Sequence, residues 1–517
     1  MNARTLLDNF DLIADAPGGV PKLRELILQL AVRGKLVPQD PKDESAQVTG
    51  SDDTTETEPK YAIPAQWIWT QLGCVIDYNY GGKTESERIP ADAWLLDLED
   101  IEKDTSRLLQ RVLAGDRKST STKSQFSAGD VLYGKLRPYL NKVLVANSDG
   151  YCTTEIVPMK PLKGVNPHYV VCVLKSRDFL DYTAARSYGM KMPRLGTEDT
   201  KRAPFPLPPL PEQKRIVAKV DELMKRCDEL EARQKKRATH HKTLVASCLN
   251  AVTDPQKPNP NFIIHNSSFN ILFTSPESIA ELRKTILQLA VQGRLVSQDS
   301  GDESAALLSE SADEFVAQSS FEIPQGWTWS RLSHLADING GFAFKSTAYT
   351  DKGTRVVRIS DFDEFGFKEH KVVRHPFTTD LRKFALEENN ILMAMTGGTV
   401  GKSYFVKSLP EPMVVNQRVA TINVLAHVSP SYIDIVIRSE LTQEVIRKVK
   451  NSTNDNISMG DIKGFAIPLP PLAEQKRIVA KVNELMAMSD KLEAKLTQSS
   501  VVSEKLAEAV VAQSAKG

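Results

Sequence analysis

Two segments of the chain resemble nucleotide phosphate-binding loops, but their residue spacing does not fit that chemistry. TGGTVGKS around Gly401 looks like a phosphate-binding loop, which requires Gly-x-x-x-x-Gly-Lys-[Ser/Thr], but Thr396 stands at the first glycine position. YGGKT, beginning at Tyr80, fails in the same way because Asp77 stands there. These segments therefore predict strand-connecting turns and not a nucleotide-hydrolysing site.

Methyl transfer and metal chemistry also lack the residues they need. An adenine methyltransferase uses a glycine-rich cofactor loop and Asn-Pro-Pro-[Tyr/Phe], and the chain has only NPNF at Asn259, in a polar linker. His240 and His241 are adjacent on a predicted helix, where their side chains point about 100° apart, so one metal ion does not suit both. The cysteines show no zinc-type spacing and are predicted to be reduced and mostly buried: Cys74, Cys152, Cys172, Cys227 and Cys248. We predict a chain that is not catalytic by itself and binds no metal or cofactor.

Local charge favours contact with a polyanion. Lys plus Arg (66) and Asp plus Glu (65) nearly cancel, but basic residues outnumber acidic ones between Ile101 and Arg202. Lysine contacts phosphates, whereas arginine, asparagine and glutamine can pair with base edges. The candidate DNA-binding residues are Lys135, Arg137, Tyr139, Lys142, Tyr188, Lys191, Arg194, Lys402, Asn416, Gln417, Arg418 and Asn454. A solvated basic face with a buried tyrosine stays open as the alternative for each of them, and asparagine-rich stretches are also typical of plain turns.

The elements that must position these residues occur twice. Three segments recur, at offsets of roughly 260 residues: LRELILQLAVRGKLVPQD (Leu23, again from Leu282), IPAQWIWTQL (Ile63, again from Ile323) and PLPPLPEQKRIVAKVDELM (Pro206, again from Pro468). The chain is therefore a tandem duplication of one framework around two regions that differ almost everywhere.

Each region between the repeated segments has a mixed pattern. Short β-type runs such as GDVLYGKL, NKVLVA, TEIVPM, TRVVRIS and NILMAMTGG alternate with turns, beside helical stretches such as YVVCVLKSRDFLDYTAAR and YIDIVIRSELTQEVIRKVK. We predict two compact α/β (α+β) domains. The acidic linkers after Asp40 and Asp299 are rich in Ser and Thr and are predicted to be mobile.

The repeated proline-stopped helices carry apolar residues at alternating steps of four and three, the spacing of a coiled-coil seam. Cys227, Leu506 and Val510 continue this seam, and its residues predicted to dock a partner subunit are Ile216, Val220, Leu223 and Leu230 in the first helix and Ile478, Val482, Leu485, Leu492 and Leu496 in the second. Pro211 is tolerated in a first helical turn, and Glu212 follows at the positive end of the helix dipole. From Glu212 to about Asn250 such a helix spans on the order of 55 Å.

The paired PLPPLxEQKRIVxKVxELM helices, ILQLAVxGxLV segments and IPxxWxW segments resemble the DNA specificity (S) subunit of type I restriction-modification enzymes, over essentially the whole chain and in the family's order. The resemblance implies two target recognition domains that each bind one half of a split double-stranded DNA site. It also implies helices that space these domains and dock two modification subunits. S-adenosylmethionine for adenine-N6 methylation then belongs to the modification subunits, and ATP and Mg to the restriction subunits.

By this resemblance the chain divides into six segments. These are an N-terminal helical framework with an acidic linker (1–60), the first recognition domain (61–205), the central coiled-coil helix (206–250), a linker with the second framework helix (251–320), the second recognition domain (321–467) and the C-terminal coiled-coil helix (468–517). The N-terminal framework helix is expected to pack on the C-terminal long helix, and its second copy on the central one, with pseudo-two-fold symmetry.

The alternative function is a tandem protein-binding scaffold that oligomerises through its coiled coils and binds no specific DNA. Such a scaffold would show no salt-dependent DNA binding. No apolar run approaches the ~18 residues of a membrane span, and the acidic N-terminus is unlike a signal peptide. We therefore expect no membrane contact and a cytoplasmic location.

Overall fold

The computed structural model describes residues 3–48, 61–117, 120–253, 272–305, 321–452 and 455–515. They form two compact units, Met1–Arg237 with Ser499–Gly517, and Ala238–Gln498. Among the described residues, no helix combines the length and apolar character needed to cross a bilayer. The linker Asn259 and the candidate Asn454 lie outside the described residues.

The first unit begins with three helices and continues as a mixed domain that ends in a long helix. Its helices are α1 Ala3–Asp8, α2 Phe10–Asp15, α3 Gly19–Val32, α4 Pro167–Leu174, α5 Arg177–Arg186, α6 Thr197–Lys201 and the beginning of α7 Leu210–Thr253. Its strands are β1 Ile68–Gln71, β2 Ile76–Tyr78, β3 Lys83–Thr84, β4 Leu95–Leu96, β5 Lys123–Phe126, β6 Val131–Gly134, β7 Val143–Val145, β8 Gly150–Thr153, β9 Ile156–Pro161 and β10 Pro204–Leu207.

The described strands of the first unit form three sheets. β1 and β10 pair antiparallel and bring the two ends of the mixed domain together in front of α7. An antiparallel sheet has the order β2-β9-β6-β7, and a second four-stranded sheet has the order β3-β5-β8-β4 with β4 parallel to β8. The main apolar core joins the first of these four-stranded sheets to α3, α4 and the first turns of α7, so the domain and the framework share one core.

The second unit repeats this plan. Its helices are the end of α7, α8 Pro276–Val291, α9 Leu332–Leu335, α10 Pro430–Arg438, α11 Glu440–Ser452, α12 Met459–Lys463 and α13 Leu472–Ala515, the last of which belongs to the first unit from Ser499 on. Its strands are β11 Thr328–Arg331, β12 Ala336–Gly340, β13 Thr354–Val357, β14 Phe362–Asp363, β15 Gly366–Phe367, β16 Val373–His375, β17 Ile391–Ala394, β18 Ser403–Phe405, β19 Met413–Val415, β20 Val419–Val424 and β21 Ala466–Leu469. They form sheets β11-β21, β12-β20-β17-β18, β16-β13-β19 and β14-β15.

The predicted mixed α/β class and all five predicted β-type runs are confirmed. The long helix predicted from Glu212 to about Asn250 runs from Leu210 to Thr253. Each predicted helical stretch is two helices, because Ser176 and Ser439 turn the chain and donate their hydroxyl groups back to the carbonyls of Val173 and Val436, both at 2.7 Å.

The structure changes the interpretation of the seam. Six of its residues are at most 6 % exposed and pack in the core of their own unit: Ile216, Val220, Leu223, Ile478, Val482 and Leu485. Side chains covered by their own chain offer no surface to another subunit, so the docking role predicted for these six is wrong. Leu230, Leu492 and Leu496 are half-buried against the same cores, and their docking role stays a prediction.

The framework helices also pack differently from the expectation. The Arg24 Nη2 atom on α3 lies 2.5 Å from Asp228 and 2.8 Å from Glu231, both on α7, although α3 was predicted to pack on the C-terminal helix. The end of that helix, from Ser499 to Ala515, does belong to the same unit. The second copy, α8, packs with the end of α7 as predicted, and also with α13, where Arg283 pairs with Asp490 at 2.6 Å.

Candidate nucleic-acid interface

Two basic stretches that are some fifty residues apart in sequence meet in the first unit. The β6–β7 hairpin covers residues 135–142, and a second hairpin covers residues 188–195. The backbone N–H of Leu195 donates to the Lys135 carbonyl at 3.2 Å, and that of Arg137 donates to the Pro193 carbonyl at 2.7 Å. We call these two hairpins, together with Glu155, the first loop cluster. It gathers all seven candidates that the sequence analysis named in this domain.

The outer face of the first loop cluster is aromatic and basic. Tyr139 is 57 % exposed and Tyr188 62 % exposed, and Lys191 is also exposed. Met190, between them in the second hairpin, is fully exposed. A positively charged surface with projecting planar side chains suits contact with phosphates and bases.

Three other candidates in the first loop cluster are partly buried or form hydrogen bonds within the chain. Lys142 donates one N–H of its ammonium group to the Leu98 carbonyl at 2.7 Å, which ties the base of the hairpin. Arg137 adopts a left-handed backbone (φ 51°), and its buried Nε has no hydrogen-bond partner among the described residues. Lys135 is half-buried. Their DNA contacts remain predictions, with Lys142 the least free to move.

Arg194 is held by a carboxylate that the sequence analysis did not single out. Its Nε lies 3.1 Å from Oε2 of Glu155, and its Nη2 lies 2.9 Å from Oε1. The hydrogen bond to Glu155 raises the pKa of the Arg194 guanidinium. The Glu155 carbonyl in turn accepts the backbone N–H of Lys135 at 3.0 Å, so the carboxylate belongs to the same loop cluster.

The second unit assembles an equivalent loop cluster from residues 395–402, 416–418 and 455–457. The Ile457 N–H donates to the Met395 carbonyl and the Met395 N–H to the Arg418 carbonyl, each at 2.9 Å. These bonds repeat those that link Leu195, Lys135 and Glu155 in the first unit, so Arg418 occupies the place of Glu155. We call this set the second loop cluster.

The structure brings four of the five candidates of the second domain together in this cluster. Lys402, Gln417 and Arg418 are exposed. Asn416 is half-buried, and its Oδ1 accepts the backbone N–H of Arg418 at 3.2 Å, as a turn asparagine does. The alternative of a plain turn therefore describes Asn416 better than a base contact. The fifth candidate, Asn454, is not among the described residues.

The repeated Glu-Gln-x-Arg of each long helix forms a buried joint between helix and mixed domain. Glu212 is fully buried, and its carboxylate accepts the Trp67 indole N–H at 2.8 Å and a Gln39 amide N–H at 2.7 Å. Glu474 makes the same two contacts with Trp327 and Gln298, at 2.9 and 3.0 Å. Burial raises the pKa of Glu212, although both hydrogen bonds lower it.

The remaining residues of each joint fix the neighbouring loops. The Gln213 amide oxygen accepts the Asn166 backbone N–H at 2.7 Å, at the start of α4, and Gln475 repeats this contact with Ser429. Arg215 lies 2.6 Å from Asp43, and Arg477 lies 2.6 Å from Asp302. The predicted mobility of the two linkers is therefore wrong for their first residues, which are anchored to the long helices.

The five cysteines are free thiols, and Cys152, Cys172 and Cys227 are buried. Burial raises the pKa of Cys172 to about 12 and that of Cys227 to about 11, so these two are protonated at neutral pH. Within the described residues no group of histidine, cysteine, aspartate and glutamate side chains is arranged to hold a metal ion.

Sequence reasoning missed Glu155 and the joint residues for different reasons. The joints had a signal, because Trp, Glu, Gln and Arg recur at matching places in both copies. Glu155 had none, since it is an isolated acidic residue in a basic region and its partner lies 39 residues further along the chain.

The chain is similar to known proteins over most of its length. The family model for the type I restriction modification DNA specificity domain matches residues 116–240 and 324–499. The type I restriction enzyme EcoAI specificity subunit of Escherichia coli is 30 % identical, over 92 % of this chain and 90 % of that one. The EcoEI specificity subunit, also from Escherichia coli, is 26 % identical over 95 % and 93 %.

Among solved structures, one described as "Structural basis underlying complex assembly and conformational transition of the type I R-M system" contains a chain of similar fold. The TM-score is 0.58 at 19 % sequence identity, and the match covers 88 % of this chain and 98 % of that one. At this identity the likeness concerns the fold.

Proposed function

The chain belongs to the family of type I restriction-modification DNA specificity subunits, and we propose that its two loop clusters each read one half of a split double-stranded DNA site. The observation that carries the proposal is the contrast between framework and loop clusters. The joints at Glu212 and Glu474 make the same contacts in both units. The loop clusters share a backbone scheme but differ in side chains, as two readers of different sequences require.

The charge and exposure of the loop clusters support this proposal. Tyr139, Tyr188 and Lys191 project from the first, and Lys402, Gln417 and Arg418 from the second. Cations supply sequence-independent affinity for phosphates, whereas arginine and glutamine discriminate base edges in the major groove. Among the predicted site residues, the lysines are therefore expected to provide affinity for DNA, and the arginines and the glutamine are expected to determine which base sequence is bound.

We propose that the long helices hold the two readers at a fixed separation and that the chain assembles with two modification subunits and with restriction subunits. In this proposal the chain has no catalysis of its own. S-adenosylmethionine, ATP and Mg are used by the partners. Because the six seam residues named above are buried, docking must use other surfaces, such as the outward faces of α7 and α13. The five free thiols agree with the reducing cytoplasm.

The test is a genome-wide map of N6-methyladenine in cells that express this chain with an active modification subunit, compared with cells that lack the chain. We expect a split motif that depends on the chain, and we expect each half to change separately when the matching mixed domain is exchanged. If the modification subunit is bound and active but no chain-dependent motif appears, the proposal is wrong and a protein-binding scaffold becomes the better interpretation.

A further inference from the structure

We propose that Arg194, held in place by Glu155, reads a guanine in the first half-site, an inference that rests on the proposed function. Glu155 occupies the side of the guanidinium formed by Nε and Nη2. An arginine has five N–H donors in one plane, so the remaining edge still carries an N–H on each terminal nitrogen. That edge can donate to O6 and N7 of guanine at the same time, which is the commonest specific arginine contact in the major groove.

The backbone around this pair is fixed before any ligand binds. Arg194 exchanges two hydrogen bonds with Tyr188, at 3.0 and 2.9 Å. The backbone N–H of Leu195 donates to the Lys135 carbonyl at 3.2 Å, and the backbone N–H of Lys135 donates to the Glu155 carbonyl at 3.0 Å. The arginine and its carboxylate are therefore tied to each other through both side chain and main chain. A guanidinium held in this way loses little conformational entropy on binding, which makes it suited to a directional contact.

The Arg194–Glu155 pair is partly exposed and lies beside other exposed side chains of the first loop cluster. The Arg194 side chain is 35 % exposed, so it remains accessible although Glu155 covers one side of it. Tyr188 and Lys191 belong to the same hairpin and are exposed. Exposed ion pairs contribute little to stability, so stability alone gives a weak reason for this geometry.

The second unit supplies an internal comparison. Arg418 has the backbone position of Glu155, and its carbonyl accepts the Met395 N–H just as the Glu155 carbonyl accepts that of Lys135. Asn456 corresponds to Arg194, because it precedes Ile457, the counterpart of Leu195. The carboxylate and arginine of the first unit are thus replaced by arginine and asparagine within the same backbone scheme. A change of donors and acceptors at a conserved geometry is expected where two readers recognise different bases.

The first experiment repeats the methylation map with Arg194→Ala and Arg194→Lys, with Lys191→Ala as the matched control for loss of one exposed positive charge. We expect both Arg194 variants to lose preference at one guanine of the first half-site, by about 5- to 150-fold, because lysine cannot make the bidentate contact. The Lys191 variant should lower methylation at all sites without changing the motif. The second half-site and the other positions of the first half-site should keep their preferences, which shows that both units are folded.

Glu155→Gln and Glu155→Ala separate positioning from structure. A positioning residue should weaken discrimination at the same guanine, less for Gln than for Ala, because Gln keeps an acceptor oxygen. A carboxylate that only stabilises the loops should weaken every position of the first half-site equally. That uniform loss would overturn the role given to Glu155.

Changing the DNA base instead of the protein tests the same contact on the unaltered chain. Duplexes in which each guanine of the first half-site is replaced in turn by 7-deazaguanine lack the N7 acceptor and can be titrated with the complete methyltransferase complex. We expect one position at which the replacement weakens binding by the unaltered chain but not by the Arg194→Lys chain. A chain-dependent motif with no such guanine overturns this inference alone, whereas the absence of any chain-dependent motif overturns the proposed function.

Discussion

Replacing Glu212 with alanine should loosen the first unit and leave the second unchanged. The carboxylate accepts two buried hydrogen bonds, from Trp67 and Gln39. A hydrogen bond to a charged group contributes about 1.5–3 kcal/mol, so two give about 3–6 kcal/mol. The variant also removes the cost of burying the carboxylate, a cost that shows as the raised pKa of Glu212. We therefore expect the lower end, about 3 kcal/mol, for the lost free energy of unfolding of the first unit.

Amide hydrogen exchange resolved by peptide is the appropriate assay, because it reports the two units separately within one molecule. A loss of about 3 kcal/mol corresponds to exchange about 150-fold faster for β1 and β10. Their counterparts β11 and β21 provide the internal reference, and Glu474→Ala should produce the opposite pattern.

The matched control is Glu222→Ala on the same helix. Glu222 is exposed, and its ion pair with Lys219, 2.8 Å long, is an i,i+3 surface pair of small value. If Glu212→Ala accelerates exchange in β1 and β10 no more than this control does, or accelerates it equally in both units, the buried joint does not hold the mixed domain to the helix.

Three further results are expected. Burial raises the pKa of Glu212 above its ordinary 4.5, so the pH-dependent part of its contribution to stability is full below about pH 4.5 and is lost as the pH rises through the folded pKa, while the hydrogen bonds to the carboxylate remain. Glu212→Gln should flatten this dependence in denaturant titrations between about pH 4.5 and 7, and an unchanged slope would contradict it. Tyr169→Phe removes the buried hydrogen bond from the tyrosine hydroxyl to the Pro206 carbonyl (2.8 Å) and should cost about 1 kcal/mol, seen as faster exchange in the first unit only. One heptad can be deleted from each long helix, residues 236–242 and residues 498–504. Because seven helical residues rise about 10 Å, this deletion should shorten the spacer of the methylated motif by about 3 base pairs. A spacer of constant length would refute the proposal that the helices set the distance between the half-sites.

The repeated elements could be predicted well because their signals are local. Heptad spacing and a proline at the first turn predicted both ends of the long central helix to within a few residues. Short β-type runs bounded by turn residues gave β6, β7, β9, β13 and β17. The two breaks at Ser176 and Ser439 were missed because a serine hydroxyl that turns the chain looks in sequence like any polar residue on a helix face.

The sequence by itself determined the duplication, the mixed α/β class, the family and the basic character of the first loop cluster, since these depend on residues close together or on direct repetition of segments. Only the tertiary structure decided that the seam residues fill the chain's own core, that Lys142 is tied to Leu98 and that Glu155 holds Arg194. Each of these contacts joins residues far apart in sequence, and the periodicity of a sequence does not predict such long-range contacts. It arises from sheet pairing and loop packing, which place particular atoms within 3 Å of each other only once the whole unit has folded.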